Sequence, residues 1–388
     1  MTGTFTSAFN FILATYIYLQ IVFECNTGVN MRTIYLIRHG KPDFPGGGKM
    51  CLGLTDLPLG SLGRLQGALL GAFFAERSLT EAFSSRLSRA RETASLTGLP
   101  VTVLDGLEEL YAGRWDGLSF EEIRKRWPET FALRRQTPSL PPPGGESGEH
   151  GCDRFSAAFE LAVAQSRGDI AVFAHASVSQ LLLCKIRNMP LGLARETPLP
   201  YGCYTRLILE DGIYRAEDVG VSPRPPLDEN VCLRLLAALD TPPNLLSHSR
   251  AVAKEALRIT RALAAAGMDL DADQIFAAAM LHDISRRDDH HAAAGAALLE
   301  NLGYPGVAGI IRQHHDPEDP ETIDGAGVVF LADKLCLGGT IVPLDTRFAA
   351  SLGGCITVEA RSAHGRRYAA AAGIAEKINA ICGKDIVK

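Results

Sequence analysis

Between Gly220 and Pro226 the chain carries three prolines in seven residues, and the character of the sequence changes across them. Before this stretch, short apolar β-branched runs alternate with helix-like segments; after it, almost everything is Ala/Leu-rich at helical spacing. Proline removes a backbone donor and fixes φ, so neither a helix nor a central strand passes through such a stretch undisturbed. An α/β unit followed by an all-α unit is implied. At 388 residues the chain is too long for one ordinary domain and suits two. The division is an N-terminal extension over 1–30, an α/β domain over 31–219, a linker over 220–229 and a helical domain over 230–388.

Within the first unit, 33–37, 101–104, 170–173 and 205–209 read as buried strands, and 63–77 and 155–166 as helices. The Pro/Gly stretch 138–148 reads as an exposed loop. Beyond the linker, helices are expected over 245–266, 272–284, 292–302 and 328–337. The segment from Phe9 to Phe23 is strongly apolar, but no Lys or Arg precedes it and Asn10 and Gln20 interrupt it. It lacks the charged start of a signal peptide and is short for a span. Met31 opens a natural first strand, so translation is expected to start there. No membrane contact is expected unless residues 1–30 are retained as an anchor. A net charge of -5 with no long basic run argues against DNA or RNA as a partner. Nine scattered cysteines without a C-x-x-C pair indicate free thiols, a cytoplasmic setting and no thiolate zinc site.

The first strand runs into Arg38-His39-Gly40, at the strand end where ligand crevices form in α/β sheets. A histidine there can attack a phosphoryl group while the guanidinium beside it holds the oxygens. Such a nucleophile needs further cations, a proton donor for the leaving group and a tight turn admitting substrate. The stretch from Ser84 to Ala94 supplies arginines, the stretch from Leu107 to Leu118 supplies a carboxyl group, and Ala174-His175-Ala176 ends a later strand with a second histidine.

These motifs resemble the histidine phosphatase superfamily, which includes phosphoglycerate mutase and alpha-ribazole phosphatase, across about residues 31–217. The resemblance implies a three-layer, phosphoglycerate mutase-like α/β fold. It implies His39 as the phosphorylated nucleophile, Glu109 as general acid and His175 as the second pocket histidine. Arg38, Arg89, Gly40 and Ala176 would bind the phosphate. No cofactor is implied for this half. Where many members carry a threonine and an asparagine this chain has Pro42 and Pro45, and Ala176 replaces a usual glycine. The chemistry implied is attack by His39 with protonation of the leaving oxygen by Glu109, then hydrolysis of the phosphohistidine with Glu109 as base. Arg91 and His150 read as surface residues, Arg86 is left open between surface and site, and Glu108 reads as a solvated neighbour of Glu109.

Seven of the ten histidines lie after residue 247. Within the apolar run from Ala277 to Ile284, His282 and Asp283 would be costly to bury unless they held a cation. Nitrogen and oxygen donors without thiolate suit Fe, Mn, Co, Zn or Mg. This part resembles the HD-domain phosphohydrolase superfamily over about 245–337. By that resemblance His248, His282, Asp283 and Asp333 hold one divalent metal, and His291 and His314 fit the two-metal branch in which the aspartate bridges. His315 is left open, and His290 and His364 read as surface residues. The sequence around His248 and His314 is similar to the branch acting on dinucleoside polyphosphates.

The expected function is hydrolysis of a small phosphorylated metabolite, a phosphomonoester, in front. Behind it stands metal-dependent hydrolysis of a nucleotide or other phosphate ester by an HD domain holding one or two ions. The alternatives are a phosphoglycerate-type mutase, or an HD half that is a non-catalytic, ligand-binding regulatory module.

Overall fold

The structure, a computed structural model, describes residues 31–137 and 139–387, so the extension over 1–30 lies outside the described residues. Strand β1 (Arg32–Arg38) shows why a near-continuous apolar run suits this chain. Ile34 and Leu36 pack on one face of the sheet, and Tyr35 and Ile37 on the other. Both faces are covered, as in other parallel sheets. The remaining strands are β2 (Leu79–Ser84), β3 (Val101–Val103), β4 (Asp169–Ala174), β5 (Tyr204–Glu210) and β6 (Ile213–Val221). Their order is β3-β2-β4-β1-β5-β6, with β1 to β4 mutually parallel where they pair, and β5 and β6 added antiparallel.

Helices α1 (Ser61–Ala75) and α2 (Ser88–Ser95) cover one face; α5 (Gly148–Gln165) and α6 (Ala176–Ile186) cover the other. Two short helices, α3 (Phe120–Arg126) and α4 (Pro128–Gln136), lie between β3 and α5. The three-layer α/β expectation is met. Strands β2 and β6 had no clear sequence signal: β2 contains Thr80 and Glu81, and β6 is an edge strand with no fully buried residue.

The second unit contains α7 (Glu229–Ala238), α8 (Pro243–Ala265), α9 (Ala272–Leu281), α10 (His291–Leu302), α11 (Pro305–Arg312), α12 (Gly325–Lys334), α13 (Leu344–Leu352) and α14 (Val358–Cys382). Two spans differ from the sequence reading. Helix α9 ends at Leu281, with His282 as its C-cap and Asp283 in the turns beyond. Helix α12 ends at Lys334, because Gly338 and Gly339 adopt positive φ and turn a small hairpin, β7 (Cys336–Leu337) with β8 (Thr340–Ile341). Among the described residues no helix is long and apolar enough to cross a membrane.

Helix α1 belongs to both units. Leu70 and Phe74 face the sheet, whereas Leu65, Ala68, Leu69 and Ala72 join the core formed by α7 to α12. From Gly67 to Phe74 the helix is apolar all round and is almost wholly buried. Truncation of the fully buried Leu65 to alanine is expected to cost about 2–5 kcal/mol. Because the side chain belongs to a core built by both units, urea denaturation should show both destabilised. A loss confined to the sheet domain would contradict a shared core.

Candidate functional site

The register Arg38↔Ala174 between the parallel strands β1 and β4 makes His39 and His175 leave the sheet side by side. Their ring centroids are 5.1 Å apart, and the His39 N–H donates to the Ala174 carbonyl at 3.0 Å. Strand β2 pairs with β4 on its other side and ends beside them, so that Ser85 Oγ lies 2.9 Å from His175 Nε2. His39 is 5% exposed, and its Nδ1 lies 2.7 Å from its neighbour's carbonyl, Gly40 O. With the proton assigned to Nδ1, Nε2 keeps the lone pair that a nucleophile needs.

The backbone behind His39 is very close to α1. A Cβ at Gly40 would collide with the Gly63 carbonyl, and one at Gly63 with the Lys41 carbonyl. Gly40 N donates to Thr93 Oγ1 at 2.9 Å, and that hydroxyl donates to the Arg89 carbonyl at 2.7 Å. The Arg89 guanidinium is fully buried and donates to the carbonyls of Thr55 and Gly53 at 2.9 and 2.8 Å, leaving Nε without a partner. Those carbonyls are held in turn by Asp116, whose carboxylate accepts the N–H groups of Gly53, Leu54 and Thr55. Arg38 stacks over Tyr201 at 3.7 Å and donates to the Leu199 carbonyl. Burial, then Arg89 and Arg38, push His39 well below the ordinary histidine range, and burial and Arg89 do the same to His175.

Glu109 Oε2 accepts from Ser177 N at 3.0 Å, and Oε1 accepts from Val178 N and Leu110 N. It therefore sits at the start of α6, where a carboxylate meets unpaired N–H groups and the positive end of the helix dipole. Ala176 is the first residue of that helix, directly after His175. A cavity of about 400 Å³ opens beside Glu109, with Arg86, Glu108, Tyr111 and Arg154 in its wall.

Two surface readings need correction here. Glu108 is 7% exposed rather than solvated, because Arg86 Nε reaches it at 2.8 Å. Arg86, which the sequence left open, stays exposed while making that pair, and it lines the cavity. The 138–148 stretch is not simply an exposed loop, since Glu146 turns inward to bind Arg154 at 2.7 and 2.9 Å. His150 is exposed as expected, although it stands in the first turn of α5 and pairs with Glu146.

In the helical unit, His248 comes from α8, His282 and Asp283 from the end of α9, and His291 from the start of α10. His314 and His315 follow α11, and Asp333 lies near the end of α12. His248 Nε2 is 3.1 Å from Asp333 Oδ1, and His282 Nε2 is 3.5 Å from Asp283 Oδ2. On the other side of Asp283, Oδ1 lies 3.2 Å from His291 Nε2 and 3.7 Å from His314 Nε2. His315 Nε2 is 2.8 Å from His291 Nε2. Two sets result, His248–His282–Asp283 and His291–His314–His315, each with its donor atoms within 4.8 Å of one another. His315, which the sequence left open, stands with the second set.

The donors fit a divalent cation. His282 and His314 direct Nδ1 to the carbonyls of Ala279 and Ile311 at 2.7 Å, and their buried Nε2 atoms have no partner. An unpaired buried nitrogen is costly unless something binds it. Burial first, then His282 and His315, push His314 down to about 3, so the ring is neutral and its lone pair free. His364, read as a surface residue, instead lines a cavity of about 770 Å³ over this cage and contacts Ser351 Oγ at 3.0 Å. His290 is exposed, as expected.

Residues 34–221 match the model of the histidine phosphatase superfamily (branch 1), and residues 245–338 match that of the HD domain. The 6-phosphofructo-2-kinase/fructose-2,6-bisphosphatase of Gallus gallus is 31% identical over 198 residues, which cover 47% of this chain and 41% of the relative. The 6-phosphofructo-2-kinase/fructose-2,6-bisphosphatase 3 of Rattus norvegicus is 30% identical over 198 residues, covering 47% and 35%. The chain thus spans less than half the length of these relatives. Among solved structures, a mycobacterial glucosyl-3-phosphoglycerate phosphatase is 26% identical, with a TM-score of 0.44, covering 49% of this chain and 98% of that one. The alpha-ribazole phosphatase of Shigella flexneri is 22% identical, with a TM-score of 0.45, covering 50% and 98%.

Freshly purified protein is expected to carry about one to two divalent metal ions per chain, and a His282→Ala, Asp283→Ala double substitution to carry none. Elemental analysis is the check, and wild type without bound metal would contradict the cage.

Proposed function

Because the chain joins a histidine phosphatase superfamily domain at residues 34–221 to an HD domain at 245–338, we propose that it is a phosphohydrolase with two separate centres. The first removes phosphate from a small phosphomonoester through a phosphohistidine. The observation that carries this reading is the facing pair His39 and His175, walled by Arg38 and Arg89. Neutral His39 attacks phosphorus through Nε2, the ester P–O bond breaks, and Glu109 delivers a proton to the leaving oxygen. Glu109 Oε2 holds a single backbone N–H, which leaves a position for that proton. Water then attacks the phosphohistidine while Glu109 accepts its proton, and His39 is regenerated. The guanidiniums offset the charge that builds on the transferring group. The cavity beside Glu109 carries Glu108 and Tyr111 as well as Arg86 and Arg154, a lining suited to a polar leaving group.

The second centre hydrolyses a nucleotide or another phosphate ester at the HD cage. Its support is the paired donor sets and the cavity above them, where Arg286, Lys334, Arg347 and Arg367 supply positive charge. A divalent cation bound there would make a water more acidic and neutralise phosphate oxygens. The chain's own part is to hold the ester. Arg367 is fixed by Asp316 at 2.7 and 2.9 Å and faces the cavity from α14, and Arg347 is fixed by the Cys336 carbonyl at 2.9 Å.

Hydrolysis of p-nitrophenyl phosphate by the first centre should persist in excess chelator and fall on the order of 10³-fold or more in His39→Ala. Loss of this activity on chelation would refute the division of labour.

The pH profile offers an independent check. Protonation of His39 removes the attacking lone pair, and its pKa lies well below the usual 6.5. Activity as kcat/KM should therefore persist as the pH falls through 6.5, and an acid limb centred at 6.5 that belongs to His39 would contradict the proposed burial effect.

A further inference from the structure

A groove of about 330 Å³ runs along the boundary between the two units. Ser61 and Arg64, at the start of α1, form one wall, and the turns carrying Ser285, Arg286 and Arg287 form the other. Asp283 and Arg286 line both this groove and the larger cavity, so the metal-ligand cage stands where the two meet.

Several features suit the groove to phosphate. Three guanidiniums line it, and guanidinium groups match phosphate oxygens in pairs. Arg64 is positioned by the Ala238 carbonyl and by Asp240 at 2.9 Å, and Arg287 donates to the Asp240 carbonyl at 3.1 Å. Against them stand Asp240, Asp283 and Asp288. The first is engaged by Arg64, and the second belongs to the cage and is paired with Arg286 at 3.2 Å. Helix α1 begins here with Gly60 as an N-cap that offers no side-chain hydrogen bond, and with no acid in its first turn. Its first N–H groups and dipole are thus free for an anion. Independently, Ser285 is only 5% exposed, lines the groove, and has a buried hydroxyl without a hydrogen-bond partner. Of the buried serine hydroxyls without a hydrogen-bond partner among the described residues, Ser285 is the one that lines this groove.

We propose that this groove is a phosphate subsite of the HD centre, built jointly by both domains. It holds a second phosphate of a substrate whose scissile phosphorus lies at the cage, with Arg64 of the phosphatase domain as a specificity-determining residue. The substrate is then an ester or anhydride bearing at least two phosphates, and the HD domain needs its neighbour in order to recognise it. The inference rests on the phosphohydrolase reading of the HD cage.

The test is calorimetric titration of inorganic pyrophosphate into the full-length, metal-stripped protein, comparing wild type with Arg64→Ala, Arg287→Ala and Ser61→Glu. Wild type should bind, and each substitution should weaken binding at least about tenfold, the last by placing like charge at the helix start. Pyrophosphate can also enter the His39 pocket, so the difference between wild type and the groove variants is the readout. An unchanged thermal midpoint separates loss of the site from loss of the fold. If Arg64→Ala disturbs domain packing through Asp240, the exposed position 61 still decides the matter. Equal affinity across wild type and the folded variants, or no binding by wild type, overturns the subsite. Because this titration contains no metal, its failure is distinct from failure of the cage, which metal analysis reports.

Discussion

The parallel pairing of β1 with β4 is the constraint from which the two-histidine pocket is built. Arg38 lies opposite Ala174, so the next residue on each strand is a histidine, and both emerge at the same edge of the sheet. A slip of one residue would send each alternate side chain to the opposite face. That slip is resisted because both faces are packed, Ile34 and Leu36 against one helix layer and Tyr35 and Ile37 against the other. The neighbouring β2 adds Ser85 at the same edge. Core packing and site geometry are therefore one specification.

Helix α1 carries that specification across the domain boundary. Its glycine at position 63 lets the backbone approach Lys41 and Gly40 behind His39. Its leucines at 65 and 69 enter the helical core, and Arg64 reaches Asp240 beside the groove. A displacement of this helix would be felt at both centres, since interiors packed at such density transmit strain.

The two centres share one device and differ in its surroundings. In His39, His282 and His314, Nδ1 points at a nearby carbonyl, of Gly40, Ala279 and Ile311 respectively. That contact sets the tautomer and presents Nε2 to the site. Around His39 the neighbouring charges are Arg38 and Arg89, which suits an anionic group. Around His282 and His314 they are Asp283 and Asp333, which suits a cation. The same imidazole is the proposed nucleophile in one setting and a candidate metal ligand in the other.

The sequence alone determined the features that local chemistry writes along the chain. Alternating apolar runs marked four strands, the prolines from 223 to 226 marked the change of class, His39 and His175 stood out at strand ends, and His282 and Asp283 stood out where burial would be costly. It could not mark β2 or β6, whose residues are polar or at an edge and carry little burial signal. Nor could it show that Glu108 is drawn inward by Arg86, that Asp116 braces the loop holding Arg89, or that His364 lines a cavity. It left His315 undecided, and it did not show that Ser61 and Arg64 would meet Ser285 and Arg287. Those outcomes belong to tertiary structure, because each depends on which distant segments share a surface. A residue's own neighbours in the chain carry no record of that.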